Sequence, residues 1–153
     1  MKKSTKVCIV GLGRAGRFHL ASIKKLDSIE LKYVVDPALS TRDDIVQNND
    51  FILLEDIEEA LADDELDAAI ISPPTQFHFD CVTRFLKAGK HVFTEKPLGE
   101  SLAEIQTCFE LSAKQSQKRS FQTIRRDGIG ASLSTASHPS LSVGESVAKP
   151  TFY

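Results

Sequence analysis

A strand pattern that runs straight into a glycine-rich turn and then into a helix pattern leaves few folds open. Lys6–Val10 is a short apolar, β-rich run, Gly11-Leu12-Gly13-Arg14-Ala15-Gly16 follows it without a spacer, and helical spacing starts at Arg14. A G-x-G-x-x-G string on its own says little; between a strand and a helix it carries a mechanism. Gly11 permits a tight turn, Gly13 presents backbone where a phosphate can approach, and Gly16 lets the helix pack against the strand. The first helical turn, with Arg14 and Ala15, then points backbone N–H groups and the positive end of the helix dipole at that phosphate. No Gly-Lys-Ser/Thr follows, so the loop is not a P-loop.

The same alternation continues along the chain. Helical spacing over Arg14–Leu26 offers Phe18, Ile23 and Leu26 to one face. Ile29–Val35 is a second strand, 38–48 is read as helix and 51–54 as strand, and Asp56–Leu61 as an amphipathic helix. Ala68–Ile71 is a buried strand ending at Pro73-Pro74, Gln76–Lys87 a helix with Gly89 at its C-cap, and His91–Thr94 a strand closed by Pro97. A helix over Ser101–Lys114 opens on a capping box, Ser101 with Glu104. Strands alternating with helices predict an α/β fold, a Rossmann-type doubly wound parallel sheet in a single domain over 1–120.

Asp36 stands 20 residues after Gly16, at the end of the second strand. An acid there accepts hydrogen bonds from the adenosine ribose and repels a 2′-phosphate, so NAD is expected, and NADP less so. The alternative for Asp36 is a turn residue before Pro37, and Arg42 is the nearby cation that could favour NADP.

With Lys+Arg at 19 against Asp+Glu at 21, the net charge of −2 argues against nucleic acid as a partner. No apolar stretch approaches the roughly 20 residues that span a bilayer, and the N-terminus lacks the apolar core of a signal peptide. Cys8, Cys81 and Cys108 are odd in number and widely spaced, without metal-type spacing, which suits reduced thiols in the cytoplasm; Cys8 belongs to a core strand. The eight acids between Glu55 and Asp67 read as a solvated helix face and the loop after it.

Two further loops fall at the carboxyl ends of predicted parallel strands, where ligands bind in open α/β sheets. One is Ser72-Pro73-Pro74-Thr75-Gln76-Phe77-His78, the other Glu95-Lys96-Pro97. Together with the fingerprint at 11–16, Val34-Val35-Asp36-Pro37 and the string Ala88-Gly89-Lys90-His91-Val92-Phe93-Thr94-Glu95-Lys96-Pro97-Leu98, they give residues 5–118 a clear likeness. The sequence resembles the glucose–fructose oxidoreductase/inositol dehydrogenase/MocA (Gfo/Idh/MocA) family, and within it most the myo-inositol 2-dehydrogenase branch.

The resemblance implies an oxidoreductase that moves hydride between NAD and a hydroxyl of a small polyol or sugar. It implies that Lys96 is the catalytic lysine, contacting substrate beside the nicotinamide, where an ammonium favours a developing alkoxide. It also places Ser72, Pro73 and Thr75 under the cofactor, Glu95 and Pro97 beside it, often with a cis peptide before the proline. His78 lies near the cofactor, with structural and functional roles both open; His19 and His91 read as structural.

The family's second α+β domain, which walls the substrate cleft and supplies proton transfer, is expected to be absent from 153 residues. From Gly128 to Tyr153 the only charges are Glu145 and Lys149 and six serines accumulate, so 121–153 reads as an irregular, disordered tail. Gln122–Arg126 can be encoded as CAA ACG ATT CGA CGG, which one base later reads Lys-Arg-Phe-Asp, the kind of string the family carries next. The expectation is a chain that leaves the family's reading frame near 120–122. Its alternatives to an enzyme are an inactive dinucleotide-binding module, one associated with a full-length subunit, or a non-functional isoform.

Overall fold

The computed structural model describes residues 4–38, 50–116 and 122–123. Its elements are β1 (Thr5–Val10), α1 (Arg14–Ile23), β2 (Ile29–Val35), β3 (Ile52–Leu54), α2 (Glu58–Ala62), β4 (Ala68–Ile71), α3 (His78–Lys87), β5 (His91–Thr94), α4 (Leu102–Ser116) and β6 (Gln122–Thr123). All strand pairings are parallel and the order across the sheet is β3-β2-β1-β4-β5-β6. The chain thus builds outward from β1 in one direction, then restarts beside it at β4. Between the carboxyl ends of β1 and β4 the connections diverge, and a crevice opens there.

Strand alternation splits the core into two layers. Cys8 and Val10 of β1 and Ala69 and Ile71 of β4 join Ala60 of α2, Phe85 of α3 and Cys108 of α4 on one face. Val7, Ile9, Ala68 and Ile70 turn the other way, to Leu20 and Ile23 of α1. The register between β1 and β2 shifts between Val7 and Cys8, so that Leu31 and Tyr33, two residues apart, serve opposite layers. The irregularity at Lys32 turns its ammonium toward Asp63, 2.6 Å away as an ion pair, and Glu65, which accepts a hydrogen bond at 3.0 Å. The acidic run is therefore more than a solvated face: Glu65 also pairs with Lys6, and Glu58 with Arg84.

Local signals explain the helix ends. Gly89, at φ +75°, follows α3; its N–H donates to Leu86 O at 2.9 Å and that of Lys90 to Phe85 O at 3.0 Å, a Schellman closure. Ser101 Oγ accepts from Glu104 N at 3.2 Å while Glu104 Oε2 accepts from Ser101 N at 3.4 Å, so the capping box forms, and the same oxygen also accepts from Glu100 N at 2.7 Å. Helix α3 starts later than the spacing predicts: Thr75–Phe77 is a 3₁₀ turn and the α-helix begins at His78.

Helix α1 differs from expectation in which face it buries. Gly16, Leu20 and Ile23 face the sheet, whereas Phe18 is 71% exposed and Leu26 lies past the helix end, also exposed. Residues 16, 20 and 23 share one side at helical spacing, and residue 18 stands about 200° from residue 16. The close packing of Gly16 sets this rotation. Among the described residues no helix is long and apolar enough to cross a membrane. The helix expected over 38–48, Arg42 and the tail after Thr123 lie outside the described residues.

Candidate functional site

The crevice is built by three loops, each leaving the carboxyl end of a central strand. In the first, Gly11 has φ +89°, and a Cβ there would lie 2.6 Å from Pro73 N. The position therefore needs glycine twice over, for its dihedral and for the β4 loop pressed against it. A Cβ on Gly16 would sit 1.9 Å from Gly11 O, so α1 rests directly on the turn. Around Gly13 nothing lies within 4 Å of such a Cβ. No side chain caps α1, and its first turn carries no acid. An anion meets backbone donors and open space here.

Asp36 closes the second loop. It is buried; Oδ2 accepts from Leu12 N at 2.7 Å and Oδ1 from Ala38 N at 2.8 Å. Its carboxylate thus ties the end of β2 to the glycine turn and stands fixed at the crevice wall. Ser72, after β4, donates from Oγ to Gly11 O at 3.0 Å, locking the third loop to the first.

Two depressions follow from this arrangement. A larger one of about 650 Å³ is lined by Gly11, Gly13, Asp36, Ser72 and Pro73, with Ala38, Glu55, Asp56, Ile57, Phe77 and Cys81 among its other walls. A smaller one of about 190 Å³ is lined by Ala15, Ser72, Pro73, Pro74, Thr75, His78, Glu95 and Lys96. The two share Ser72, Pro73 and Pro74. Of the residues singled out from the sequence, Arg14, Gly16 and Pro97 line neither: Arg14 and Pro97 are exposed, and Gly16 is spent on Gly11.

The Glu95-Lys96-Pro97 turn has a cis Lys96–Pro97 bond. Glu95 N donates to Ile71 O at 3.0 Å, extending the β4–β5 ladder, and Lys96 is exposed at its rim. Glu95 Oε1 lies 2.8 Å from His19 Nε2, whose ring meets the edge of Phe93 at 5.3 Å between centroids. His78 is buried, with Nδ1 2.6 Å from Pro97 O and Nε2 2.8 Å from Pro73 O.

Sequence reasoning reached the loops and missed their supports. The His19–Glu95 contact joins residues 76 apart, and no local spacing signals it. The walls Ile57, Phe77 and Cys81 carry no motif. Burial pushes the Cys81 thiol up to about 11, so at neutral pH it lines the depression as an uncharged group.

Comparison with known proteins decides the family. Residues 5–123 match the model of the Gfo/Idh/MocA oxidoreductase family, NAD-binding Rossmann fold. The chain belongs to this family. It is 33% identical over 118 residues to biliverdin reductase A of Mus musculus, covering 74% of this chain and 38% of that protein. It is 31% identical over 114 residues to myo-inositol 2-dehydrogenase of Thermotoga maritima, covering 71% and 33%. Among solved structures, apo scyllo-inositol dehydrogenase from Lactobacillus casei superposes with a TM-score of 0.69 at 29% identity, covering 80% of this chain and 37% of that one. The chain therefore represents the NAD-binding Rossmann domain of the Gfo/Idh/MocA family and spans roughly a third of the length of these relatives. Inositol dehydrogenases stand among the relatives together with other oxidoreductases, so the matches name no single branch.

Proposed function

We propose that the domain holds NAD along the crevice, with the adenosine half in the larger depression and the nicotinamide half toward Lys96. One observation carries this reading: the open space at Gly13, the uncapped start of α1 and the buried Asp36 carboxylate all converge on one depression. Backbone N–H groups of Arg14, Ala15 and Gly16 suit a pyrophosphate, and Asp36 suits ribose hydroxyls. The charged residues lining that depression are Asp36, Glu55 and Asp56, all acidic, which disfavours the 2′-phosphate of NADP.

In this proposal the bound dinucleotide supplies hydride transfer, and the protein supplies placement and charge. Thr75, Glu95 and Pro97 shape the turn where the small depression ends. Lys96 presents an ammonium there, and a polyol or sugar hydroxyl losing hydride would have its growing negative charge stabilised beside it. A substrate-binding wall contributed by a further domain, or by a full-length partner subunit, would complete the cleft. The nucleotide domain is proposed to extend through β6, which pairs with β5, and its three thiols to sit in the reducing cytoplasm.

Calorimetric titration tests the cofactor half: NAD binds, and more tightly than NADP. No binding of either refutes it. Reduction of NAD in the presence of inositols and hexoses tests the catalytic half. Binding without reduction favours the second reading, a dinucleotide-binding module.

A further inference from the structure

His78 stands at the first residue of α3, straight after the 3₁₀ turn, with 2% of its surface exposed. Both ring nitrogens face backbone carbonyls, Pro97 O at 2.6 Å and Pro73 O at 2.8 Å. A carbonyl oxygen only accepts, and proline has no N–H to offer in its place. A neutral imidazole donates from one nitrogen and aims a lone pair from the other, so it satisfies one of these carbonyls and repels the second. The imidazolium donates to both.

We propose that His78 is a positioning residue that, as an imidazolium, clamps the loop after β4 to the loop after β5. The two loops it joins are the floor of the small depression and the turn that carries Lys96. The clamp therefore sets where Lys96 stands relative to the nicotinamide half of the site; that consequence rests on the reading given under Proposed function, whereas the clamp itself does not.

From the β5 loop, Glu95 and Lys96 line the same depression, with Glu95 held by His19. The β4 loop, Ser72–Thr75, has no ionisable side chain. On α3 itself Asp80 and Cys81 follow within one turn, and on α4, packed against α3, stand Glu104 and Cys108. Burial of the ring and the dipole at the start of α3 both oppose a positive charge, and in this proposal the two charge-assisted hydrogen bonds to carbonyls are what offsets them.

The experiment has two arms on the full chain. In the first, nitrogen-15 spectra of the wild-type protein at pH 7 record the ring of His78, assigned through its own backbone. Both nitrogens at imidazolium shifts, each with a slowly exchanging proton, is the expected result; one unprotonated nitrogen overturns the proposal, and no variant needs to fold for this arm. In the second, His78→Gln keeps a donor of Nε2 type and loses the one to Pro97 O. Its NAD affinity should fall about tenfold while ADP-ribose, which lacks the nicotinamide, stays within about twofold. Equal losses for the two ligands, or no loss for either, would overturn the positioning role. A wild-type chain that binds neither ligand refutes the dinucleotide reading instead, and the spectra still decide the clamp.

Discussion

Replacing Gly16 by alanine asks how closely α1 must approach the turn that precedes it. The added Cβ would meet Gly11 O at 1.9 Å, Gly11 C at 2.9 Å and Ser72 Oγ at 3.1 Å. Two of these atoms are backbone, fixed by the positive φ of Gly11 and by Pro73, so the turn has little room to give. Restoring an ordinary contact moves the start of α1 outward by about 1.5 Å. That loosens Leu20 and Ile23 from the sheet and costs about 3 kcal/mol, the upper end of overpacking. For a domain of this size the melting temperature should fall by roughly 10–15 °C. The same displacement takes the N–H groups of the first turn off the phosphate, and losing even one charge-assisted hydrogen bond of about 1.5 kcal/mol weakens NAD tenfold.

Gly13→Ala is the control. Its Cβ meets nothing within 4 Å and its φ of −66° suits alanine. Stability should stay within about 1 kcal/mol, because the entropy gained offsets the poorer helix cap. NAD binding should nevertheless fall at least tenfold, since the methyl group occupies the space offered to the pyrophosphate. Urea unfolding followed by circular dichroism and calorimetric titration read the two quantities. A Gly16→Ala protein as stable as wild type would refute the packing argument. A Gly13→Ala protein with undiminished affinity would refute the placement of the phosphates.

Four further outcomes follow from the same structure. Asp36→Ala should shift the NAD/NADP affinity ratio toward NADP and, by removing the acceptor for Leu12 N and Ala38 N, cost about 1–3 kcal/mol in urea unfolding; an unchanged ratio refutes the ribose role. Lys90→Met should cost about 1.5–3 kcal/mol by the same measurement, because the buried ammonium donates to Asp63 O at the end of α2; full stability would show that bond to be dispensable. Burial alone would raise the Asp63 carboxyl, but the Lys32 ammonium, Glu65 N–H and Tyr33 hydroxyl outweigh it and hold the group below its ordinary 3.8. Its contribution is therefore present above pH 3.8 and lost as the pH falls further, and Asp63→Asn should flatten that part of the melting-temperature profile. Burial pushes Cys81 and Cys108 up to about 11 and Cys8 higher still, so iodoacetamide at pH 8 should label none of the three in the folded protein and all of them in urea.

The central strands were legible because they are short apolar runs bounded by turn residues. Ile29–Val35, Ala68–Ile71 and His91–Thr94 match their predicted limits. The capping box and the Gly89 cap were legible for the same reason: each is closed by residues a few positions apart. The errors fall where distant residues intervene. Phe18 has helical spacing from other apolar residues, yet it faces outward because Gly16, pressed on Gly11, fixes the rotation of α1. The start of α3 slipped because the segment after Pro73-Pro74 closes first as a 3₁₀ turn, a choice periodicity does not encode.

The glycine string, the acid at the end of the second strand and the strand–helix alternation determined the fold and the kind of ligand. Each depends on backbone conformation and side-chain period within one supersecondary unit. Tertiary structure alone decided what braces the site. His19 reaches Glu95 across 76 residues, Ser72 locks onto Gly11 across 61, and His78 faces carbonyls from two loops. These contacts exist because parallel strands bring the ends of successive loops together at one edge of the sheet. Partnership across such an edge leaves no period in the chain, since it is set by the order β3-β2-β1-β4-β5-β6 and not by sequence distance.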